Sequence, residues 1–364
     1  MMKISSVFFL LLIGLSLLSA CQITPVASIA DPTKIHSTKA LSPTTTPSTK
    51  PTEVTQIPSP TKAVILTPSS IPSKRVTLMA VGDIMLGRTI GTLIEEESPT
   101  APFTFTYETL STADITLGNL ECPISTRGSA VDKTYTFRAP TTAGEALAFA
   151  GFDLVSLANN HIMDYGTPAL EDTLAILNEN HIKPLGAGMN EESAYAPVLM
   201  EINGLKLAFL AFLDVPTTDY DYRKWEAGQS EPGVAWAHEE KVRQAITTAK
   251  KGADVVIVLV HNGYEIVQTV SDTQQAFAHL AIDSGAALVI GSHPHVLQRI
   301  ESYQDGLIVY SMGNFVFDNF LYPPNYSGIL SVVLSPGGVE SYEMIDVVIQ
   351  LNGVPQIMSY HLND

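Results

Sequence analysis

Two histidine-containing tripeptides in this chain could bind a metal ion. Residues 159–161 read Asn-Asn-His and residues 293–295 read His-Pro-His, and each tripeptide directly follows a short apolar run. Side chains at the carboxyl ends of parallel strands converge on one crevice, so residues far apart in the sequence can meet there. Imidazole suits zinc, iron, manganese and nickel, while amide oxygens favour harder ions. The two tripeptides therefore predict a metal site at the edge of a sheet.

Three further apolar runs end in residues that bind metals or transfer protons. Asp83 ends the first run, Asn119 and Glu121 follow the second, and His261 ends the third, with Glu265 four residues later. Any one of them has a structural explanation, and Asp83 alone is equally well explained as a helix N-cap. Five such strand ends, which hold four of the nine histidines, favour one shared site instead. Because no cysteine cluster accompanies them, the sequence excludes a zinc–thiolate site.

The runs that carry these residues alternate with helix-like stretches, which predicts an α/β fold. The strand-like runs cover residues 76–81, 115–117, 154–157, 205–213, 255–260, 287–290 and 307–310. The helix-like stretches cover residues 167–177, 238–250 and 272–282. In the first stretch Thr167 suits the N-cap and Pro168 the first turn. Because helices that connect successive strands bring those strands into parallel orientation, the alternation predicts a largely parallel core.

The end of the chain shows a different pattern. Residues 329–334, 342–351 and 355–361 are strand-like and are joined by turns that contain Pro, Gly and Asn. Short connections of this kind join antiparallel strands. We therefore expect an antiparallel second layer. The stretch from residue 75 to residue 364 is long enough to bury the core of one large domain.

The first 75 residues differ in composition from the rest of the chain. A basic start at Lys3, an apolar run over residues 7–18 and small residues before Cys21 resemble a bacterial lipoprotein signal. This resemblance implies a signal over residues 1–21 and lipidation of Cys21. It also implies an extracytoplasmic protein that is held on the cell membrane by lipid alone. Residues 22–74 are rich in Thr, Pro and Ser, which predicts a disordered tether.

Cysteine content and charge exclude two further classes of protein. Once Cys21 carries lipid, only Cys122 remains, so no intramolecular disulfide forms and Cys122 is expected to be a small, semi-buried side chain. Beyond residue 75 the chain has 13 basic and 35 acidic residues, a net charge of −22. Such a domain repels phosphate backbones, which argues against nucleic-acid binding. Bound metal ions could still attract an anion, because they set the local charge.

The order of the site residues resembles that of a known superfamily. Asp83, the pair Asn160 and His161, His261 and the tripeptide at 293–295 resemble the motifs of the calcineurin-like metallophosphoesterases. The wider motifs are similar to those of the CapA family, which is associated with bacterial poly-γ-glutamate capsules. They lie at residues 82–88, 119–121, 159–166, 261–265, 291–296 and 311–318. The resemblance covers residues 78–350 and implies a four-layer αββα sandwich with two metal ions between its sheets.

The resemblance also implies roles for individual residues. It divides the ligands between two divalent ions, Asp83 with His295 on one, and Asn160 with His261 and His293 on the other. It makes His161 the acid that protonates a leaving oxygen while a water molecule attacks, and it counts Asp164 among the catalytic residues. The identity of the ions is left open between manganese, iron and zinc.

Two positions depart from the superfamily pattern. Met85 stands where a histidine is usual, and a thioether is a poor ligand for a hard dication. Asn119 stands where a bridging aspartate is expected, which leaves Glu121 as the substitute ligand. The ion near His295 is therefore expected to be held less securely.

Several motif residues have no superfamily role. Arg88 is placed with the catalytic residues because it could pair with a substrate carboxylate or phosphate, although a surface ion pair explains it equally well. Residues expected to support the ligands from outside are Asn119, Glu265, Asn314 and Asp318.

Three functions are consistent with the sequence. The first is a membrane-tethered, metal-dependent hydrolase of a phosphoester or a related bond, with no connection to a capsule. The second, favoured by the resemblance, is a component of poly-γ-glutamate capsule biosynthesis, export or attachment that meets an anionic polymer and membrane proteins of capsule assembly. The third is a non-catalytic, polymer-binding module on the same fold.

Overall fold

The computed structural model describes residues 74–318 and 323–358, in which strands and α-helices alternate. In chain order the strands are β1 Val76–Ile84, β2 Ile115–Leu120, β3 Leu154–Ser156, β4 Lys183–Leu185, β5 Ala187–Gly188, β6 Val198–Ile202, β7 Leu205–Asp214, β8 Gly233–Val234, β9 Val255–Asn262, β10 Leu288–Ser292, β11 Ile300–Tyr303, β12 Gly306–Val309, β13 Asn314–Val316, β14 Tyr326–Ser335, β15 Gly338–Ile349 and β16 Pro355–Ile357. The α-helices are α1 Arg88–Glu96, α2 Tyr107–Leu110, α3 Ala143–Phe149, α4 Thr167–Glu179, α5 Glu191–Tyr195, α6 Glu239–Gly252 and α7 Asp272–Asp283. The alternation confirms the predicted α/β class.

The first sheet has the strand order β16-β15-β14-β1-β2-β3-β4, with β13 also paired to β1. Strands β1 to β4 are parallel, and strands β14 to β16 are antiparallel. The prediction of antiparallel strands near the end of the chain is therefore confirmed, but their placement in a second layer is wrong. Strand β14 pairs directly with β1, and Val76 lies opposite Leu334. Strands β14 to β16 therefore belong to the first sheet.

The second sheet has the order β11-β12-β10-β9-β7-β6, with four parallel strands in the middle and antiparallel strands at both edges. Its strand β7 shows how the layers stack. Phe209 and Leu213 belong to the core shared with the first sheet, whereas Leu210 and Phe212 pack against the helices α6 and α7. The alternation follows from the two-residue period of a strand. Both faces of the second sheet are therefore covered.

Helices α1, α3 and α4 cover the other face of the first sheet. Ile90, Leu147 and Leu170 from these helices join the same buried core as strands β1 to β3. The layers therefore run helix, sheet, sheet, helix, which confirms the predicted four-layer αββα sandwich. The strand ends that carry the candidate ligands come from both sheets, so the site forms where the two sheets meet.

Helix boundaries agree with the sequence pattern at two places and differ at one. Helix α7 begins after Ser271, which forms a capping box with Gln274. Helix α4 has Pro168 in its first turn, as predicted. Its N-cap, however, is Gly166 and not Thr167, which is already helical. Gly166 has a φ of 72°, a left-handed conformation that glycine adopts without steric cost.

Cys122 is more deeply buried than the sequence indicated. Cys122 is fully buried rather than semi-buried, its sulfur accepts a hydrogen bond from the backbone N–H of Leu86, and burial raises its pKa to about 12. Such a thiol is unreactive at neutral pH.

The signal, Cys21 and most of the tether lie outside the described residues. Within the described ranges, no helix is long and apolar enough to cross a membrane.

Candidate metal centre

The structure brings the predicted ligands together where the carboxyl ends of strands from both sheets meet. Strands β1, β2 and β3 contribute one side of the cluster, and β9 and β10 contribute the other. Each of the gathered residues is at most 6% exposed: Asp83, Asn119, Glu121, Asn160, His161, His261, His293 and His295. A group of charged and polar residues this deeply buried must satisfy its charges internally or with bound ions.

Asn119 acts as a hydrogen-bonding bridge in the position where an aspartate was expected. Its Nδ2 donates to Asp83 Oδ1 at 2.8 Å and lies 3.2 Å from His261 Nδ1. Its Oδ1 accepts from Asn159 Nδ2 at 3.1 Å. Asn119 therefore holds Asp83 and His261 in position from behind. The amide contributes no charge, so the acidic groups at the centre are Asp83 and Glu121.

Glu121 is the residue that the cluster leaves unsatisfied. Its carboxylate is fully buried and neither oxygen has a hydrogen-bond partner. Oε1 lies 3.8 Å from Nε2 of His261 and 3.9 Å from Nε2 of both His161 and His295. Burial, together with the charges of Asp83 and Glu265, raises the pKa of Glu121 well above its usual value. A divalent cation between this carboxylate and the imidazoles would offset that cost, so the residues fit a metal.

His261 and His293 are neutral and close to the amide of Asn160. Asn160 Oδ1 lies 2.9 Å from His261 Nε2, and His293 Nδ1 lies 3.2 Å from the same nitrogen. Burial lowers the pKa of both histidines well below the usual value, and the charges of neighbouring histidines lower it further. Neutral imidazole is the form that binds metals. These three residues can therefore serve as ligands at neutral pH.

His295 is held by a carboxylate and an amide. Its Nδ1 lies 3.3 Å from Asp83 Oδ2 and 2.9 Å from Asn314 Oδ1. Burial acts to lower the pKa of His295, but its hydrogen bond to Asp83 and the charge of Asp83 outweigh burial, and the pKa is raised. Asn314 lies on β13, which pairs with β1 opposite Asp83, so it lies next to both Asp83 and His295.

Met85 takes no part in the cluster. It is fully buried, and its sulfur accepts a hydrogen bond from the backbone N–H of Gly87 at 3.1 Å. The side chain therefore belongs to the core next to the loop that leads into α1. The centre has one side chain fewer than the superfamily pattern at this position.

His161 is oriented by a buried aspartate. Its Nδ1 lies 2.7 Å from Asp164 Oδ2, and its ring stacks on Phe137 with 4.0 Å between ring centroids. With Nδ1 bonded to Asp164, Nε2 faces Glu121, whose Oε1 lies 3.9 Å away. Burial lowers the pKa of His161 to about 4. The neutral ring is thus fixed as one tautomer, with Nε2 directed to the centre.

Lys133 is a site residue that the sequence did not reveal. Its Nζ donates to the carbonyl oxygen of Asn160 at 2.6 Å and lies 2.6 Å from Asp164 Oδ1 in an ion pair without hydrogen-bond geometry. It also lies about 5 Å from the ring centroids of Tyr222 and Trp225. Burial lowers its pKa, although the charge of Asp164 opposes this effect. Lys133 follows no predicted strand, so nothing in the sequence indicated that it belongs to the site.

Arg88 lies at the mouth of a cleft that reaches the cluster. Its guanidinium forms an ion pair with Asp318 and lies 4.7 Å from the ring centroid of Phe137 and 5.6 Å from that of Phe317. The side chain is 32% exposed, and the cleft of about 250 Å³ also reaches His161. Arg88 therefore pairs with a buried aspartate, whereas the alternative for it was a surface ion pair. The cation also faces the space in which a substrate would lie.

A second cleft of about 210 Å³ approaches the cluster from another side. Its lining includes Asn160, His293, Tyr222 and the acidic residues Asp219 and Glu265. Glu265 lines both clefts, because it stands on the exposed loop between them. Solvent and ligands can thus reach the buried histidines through two clefts. The first cleft contains Arg88, and the second contains Asp219.

Comparisons with known proteins place the chain in a family. Residues 77–319 match the model of a family described as bacterial capsule synthesis protein PGA_cap. The chain belongs to this family. The match confirms the resemblance to the capsule-synthesis family that the strand-end motifs indicated.

Three relatives of this PGA_cap protein carry names that refer to capsules or polymers. The chain is 32% identical over 286 residues to "Capsule biosynthesis protein CapA" of Bacillus anthracis, which covers 76% of this chain and 68% of the relative. It is 32% identical over 270 residues to "PGA biosynthesis protein CapA" of Bacillus subtilis, with 73% and 70% covered. It is 29% identical to a "Probable polyglutamine synthesis accessory protein" of Mycobacterium tuberculosis, with 63% and 58% covered.

Proposed function

We propose that this protein acts in the biosynthesis, export or attachment of a poly-γ-glutamate capsule. We further propose that it does so through a metal-dependent, phosphoesterase-like site outside the cytoplasm, and that lipid on Cys21 anchors it to the cell membrane. Membership of the PGA_cap family and the names of its relatives support the capsule role. The signal-like start of the sequence supports the anchor.

The observation that carries the catalytic part is the unpartnered carboxylate of Glu121 among buried imidazoles. Residues that would hold two divalent ions are Asp83, Glu121, Asn160, His261, His293 and His295. When bound, such ions neutralise substrate oxygens and lower the pKa of a bound water toward about 7. The protein's own contribution is to limit the access of bulk water and to keep the imidazoles of His261 and His293 neutral and fixed.

His161 is proposed to transfer the proton to the leaving group. Asp164 holds Nδ1, so the proton is delivered from Nε2, which faces the centre. An anionic substrate beside Nε2 favours the protonated ring and thus opposes the effect of burial on its pKa. General-acid catalysis of this kind contributes about 10² to 10⁴ in rate.

Arg88 is proposed to bind an anionic group of the substrate. Asp318 and the rings of Phe137 and Phe317 hold the guanidinium in place, which leaves further N–H groups for a carboxylate or phosphate. Because the domain as a whole is strongly acidic, we expect an anionic polymer to contact only this cleft and the metal ions.

The test combines metal analysis with hydrolysis assays on the purified protein. We expect bound divalent metal and turnover of a phosphodiester or of poly-γ-glutamate, with turnover reduced about 10² to 10⁴-fold in His161→Ala. His293→Ala should lose metal as well as turnover. Absence of both metal and turnover would overturn the enzyme proposal, and unchanged turnover in His161→Ala would overturn the role of His161.

A binding module is the second candidate, and the position of Met85 favours it. The sulfur of Met85 accepts a hydrogen bond from the backbone N–H of Gly87. One metal ligand of the superfamily pattern is therefore missing. This alternative predicts metal binding and polymer binding without turnover. A hydrolase unrelated to capsules predicts turnover of phosphodiesters that poly-γ-glutamate does not inhibit.

A further inference from the structure

The loop that follows β9 is fastened to the His-Pro-His tripeptide. The backbone N–H of Ile266 donates to the carbonyl oxygen of Pro294 at 2.8 Å. Three non-glycine residues at this contact have left-handed backbones, with φ values of 60° at Ile266, 94° at His293 and 57° at His295. Such conformations are unfavourable for residues with a side chain and persist where the surroundings enforce them. The loop and the tripeptide therefore form one constrained unit.

Glu265 is the charged residue that this loop places over the centre. One oxygen of its carboxylate and one ring nitrogen each of His293 and His295 all lie within 4.8 Å of one another. Unlike every other candidate ligand, Glu265 is exposed, and it lines both clefts. It therefore stands at the entrance, with its carboxylate directed at two buried imidazoles.

A second group lies deeper in the centre and touches the first, because His295 Nδ1 lies 3.3 Å from Asp83 Oδ2 and His293 Nδ1 lies 3.2 Å from His261 Nε2. Ligand atoms of Asp83, Glu121 and His261 also lie within 4.8 Å of one another, and all three residues are fully or almost fully buried. The ligands thus divide into an inner group of two carboxylates and a histidine, and an outer group of one carboxylate and two histidines. Each group has the donor types that manganese, iron and zinc accept.

The division explains how the centre can lack two ligands of the superfamily pattern. Met85 is occupied by a backbone N–H, and Asn119 serves as a neutral bridge between Asp83 and His261. The carboxylate of Glu265, from the loop after β9, supplies a replacement negative charge near His293 and His295. In the outer group it also completes a set of three protein ligands, which leaves a position open to substrate.

We propose that Glu265 is a direct metal ligand, which together with His293 and His295 binds an outer divalent ion at the entrance of the two clefts. The inner ion is held by Asp83, Glu121 and His261. This inference rests on the proposed metal centre and changes its division of ligands, because the motif resemblance pairs His295 with Asp83 and His293 with His261. It also assigns Glu265 to the metal instead of to a supporting position.

The test measures metal binding directly, independently of turnover. The purified protein, stripped with a chelator, is titrated with Mn²⁺ or Zn²⁺ by calorimetry, and the metal content is checked by elemental analysis. In Glu265→Gln, which keeps the shape of the side chain, the weaker of two affinities should fall by about 100-fold or more. Loss of a residue that only orients a ligand already costs about 10- to 100-fold. The tighter affinity should change little.

Two control variants separate the ligand role from other effects. Glu240→Gln removes one exposed carboxylate on α6, and Tyr264→Ala perturbs the same loop but keeps Glu265. Both should retain the affinities of the unmodified protein. Unchanged affinities in Glu265→Gln would overturn the inference and leave the metal centre standing. Absence of any metal binding in the unmodified protein would overturn the proposed function itself.

Discussion

Glu121 is the residue in which stability and function oppose each other. A buried carboxylate without a hydrogen-bond partner is costly in a protein that has no metal bound to it. The chain keeps this residue beside three imidazoles, each about 4 Å away. A residue that destabilises the metal-free protein is expected to bind the cation when one is present.

We predict that Glu121→Leu stabilises the metal-free protein and abolishes binding of the inner ion. The leucine removes a buried polar group, which should raise the free energy of unfolding by about 1–3 kcal/mol. Chemical denaturation with and without added Mn²⁺ measures both effects. Glu95→Leu on the exposed face of α1 is the control and should change neither quantity. A destabilised metal-free Glu121→Leu protein would contradict the argument.

Lys133 shows how one cation can organise two functional residues. It contacts the carbonyl of Asn160 and the carboxylate of Asp164, and it is 4% exposed. Through these contacts it fixes both a proposed metal ligand and the aspartate that orients His161. Its Nζ also lies 3.3 Å from Nδ1 of His161, on the side of the ring that faces Asp164, so it acts as a positioning residue.

We predict that Lys133→Met destabilises the fold and reduces turnover. Removing one partner of a buried ion pair leaves an uncompensated charge on Asp164, which should cost about 3 kcal/mol. The double variant Lys133→Met, Asp164→Asn should regain most of the stability but not the turnover, because His161 is no longer oriented by a carboxylate. Denaturation curves and hydrolysis rates measure the two effects.

The control for Lys133 is Lys206→Met, a change on the exposed face of β7. It should leave stability within about 0.5 kcal/mol of the unmodified protein. A Lys133→Met protein that is as stable as this control would show that the ion pair with Asp164 contributes nothing.

At the level of elements, the centre depends on how closely strand β10 approaches its neighbour. Gly291 lies one residue before the end of β10, and a Cβ there would lie 2.0 Å from the carbonyl oxygen of Tyr310. The strand therefore leads into the His-Pro-His tripeptide through a position that only glycine can occupy. The close contact fixes where the two histidines emerge.

We predict that Gly291→Ala lowers stability by about 1–3 kcal/mol and weakens metal binding. The methyl group would push β10 away from the backbone of residue 310 and so displace His293 and His295. Gly252→Ala, at the end of α6 where no atom lies within 4 Å of the new Cβ, is the matched control. Thermal unfolding and metal titration of both variants measure the difference, and equal behaviour would contradict the prediction.

The strands were easier to predict than their arrangement. Strand ends at Asp83 and His261 follow apolar runs, because a strand covered on both faces is apolar along its whole length. The placement of β14 to β16 in the first sheet depends on pairing between β1 and residues about 250 positions later, at Val76 and Leu334. No local pattern encodes such a pairing, so the expected second layer was wrong.

For the molecule as a whole, the buried histidines couple the fold to pH. Burial lowers the pKa of His161 to about 4 and that of His261 and His293 well below the usual value. The unfolded chain therefore binds more protons than the folded chain below about pH 6.5, and acid favours unfolding. Glu121 acts in the opposite direction, because its raised pKa makes the folded state take up a proton first.

We predict that the metal-free protein loses stability as the pH falls from about 6.5 toward 4. The three lowered histidine pKa values outweigh the raised pKa of Glu121 in this window, whereas the raised pKa of His295 takes effect above it. His161 alone contributes on the order of 3 kcal/mol across the window. Unfolding free energies of chelator-treated protein at several pH values measure the slope. His161→Asn should reduce the slope, whereas His181→Asn at an exposed loop should not. A stability that is constant between pH 6.5 and 4 would contradict the prediction.

The sequence alone determined the class of the fold, the family and most of the residues that meet at the centre. Apolar runs that end in Asp83, Asn160, His261 and His293 are local patterns, and parallel strands must bring their carboxyl ends to one edge. The order of these residues along the chain was specific enough to indicate the family, which the comparison confirms.

Only the tertiary structure determined which residues contact each other at the centre. Lys133 and Phe137 come from an irregular segment, Asn119 serves as a bridge, and Glu265 reaches the histidines from an exposed loop. Each of these roles depends on distances between residues that are far apart in the chain. Periodicity and spacing describe one strand or helix at a time, so they contain no information about contacts between segments that only the packed fold brings together.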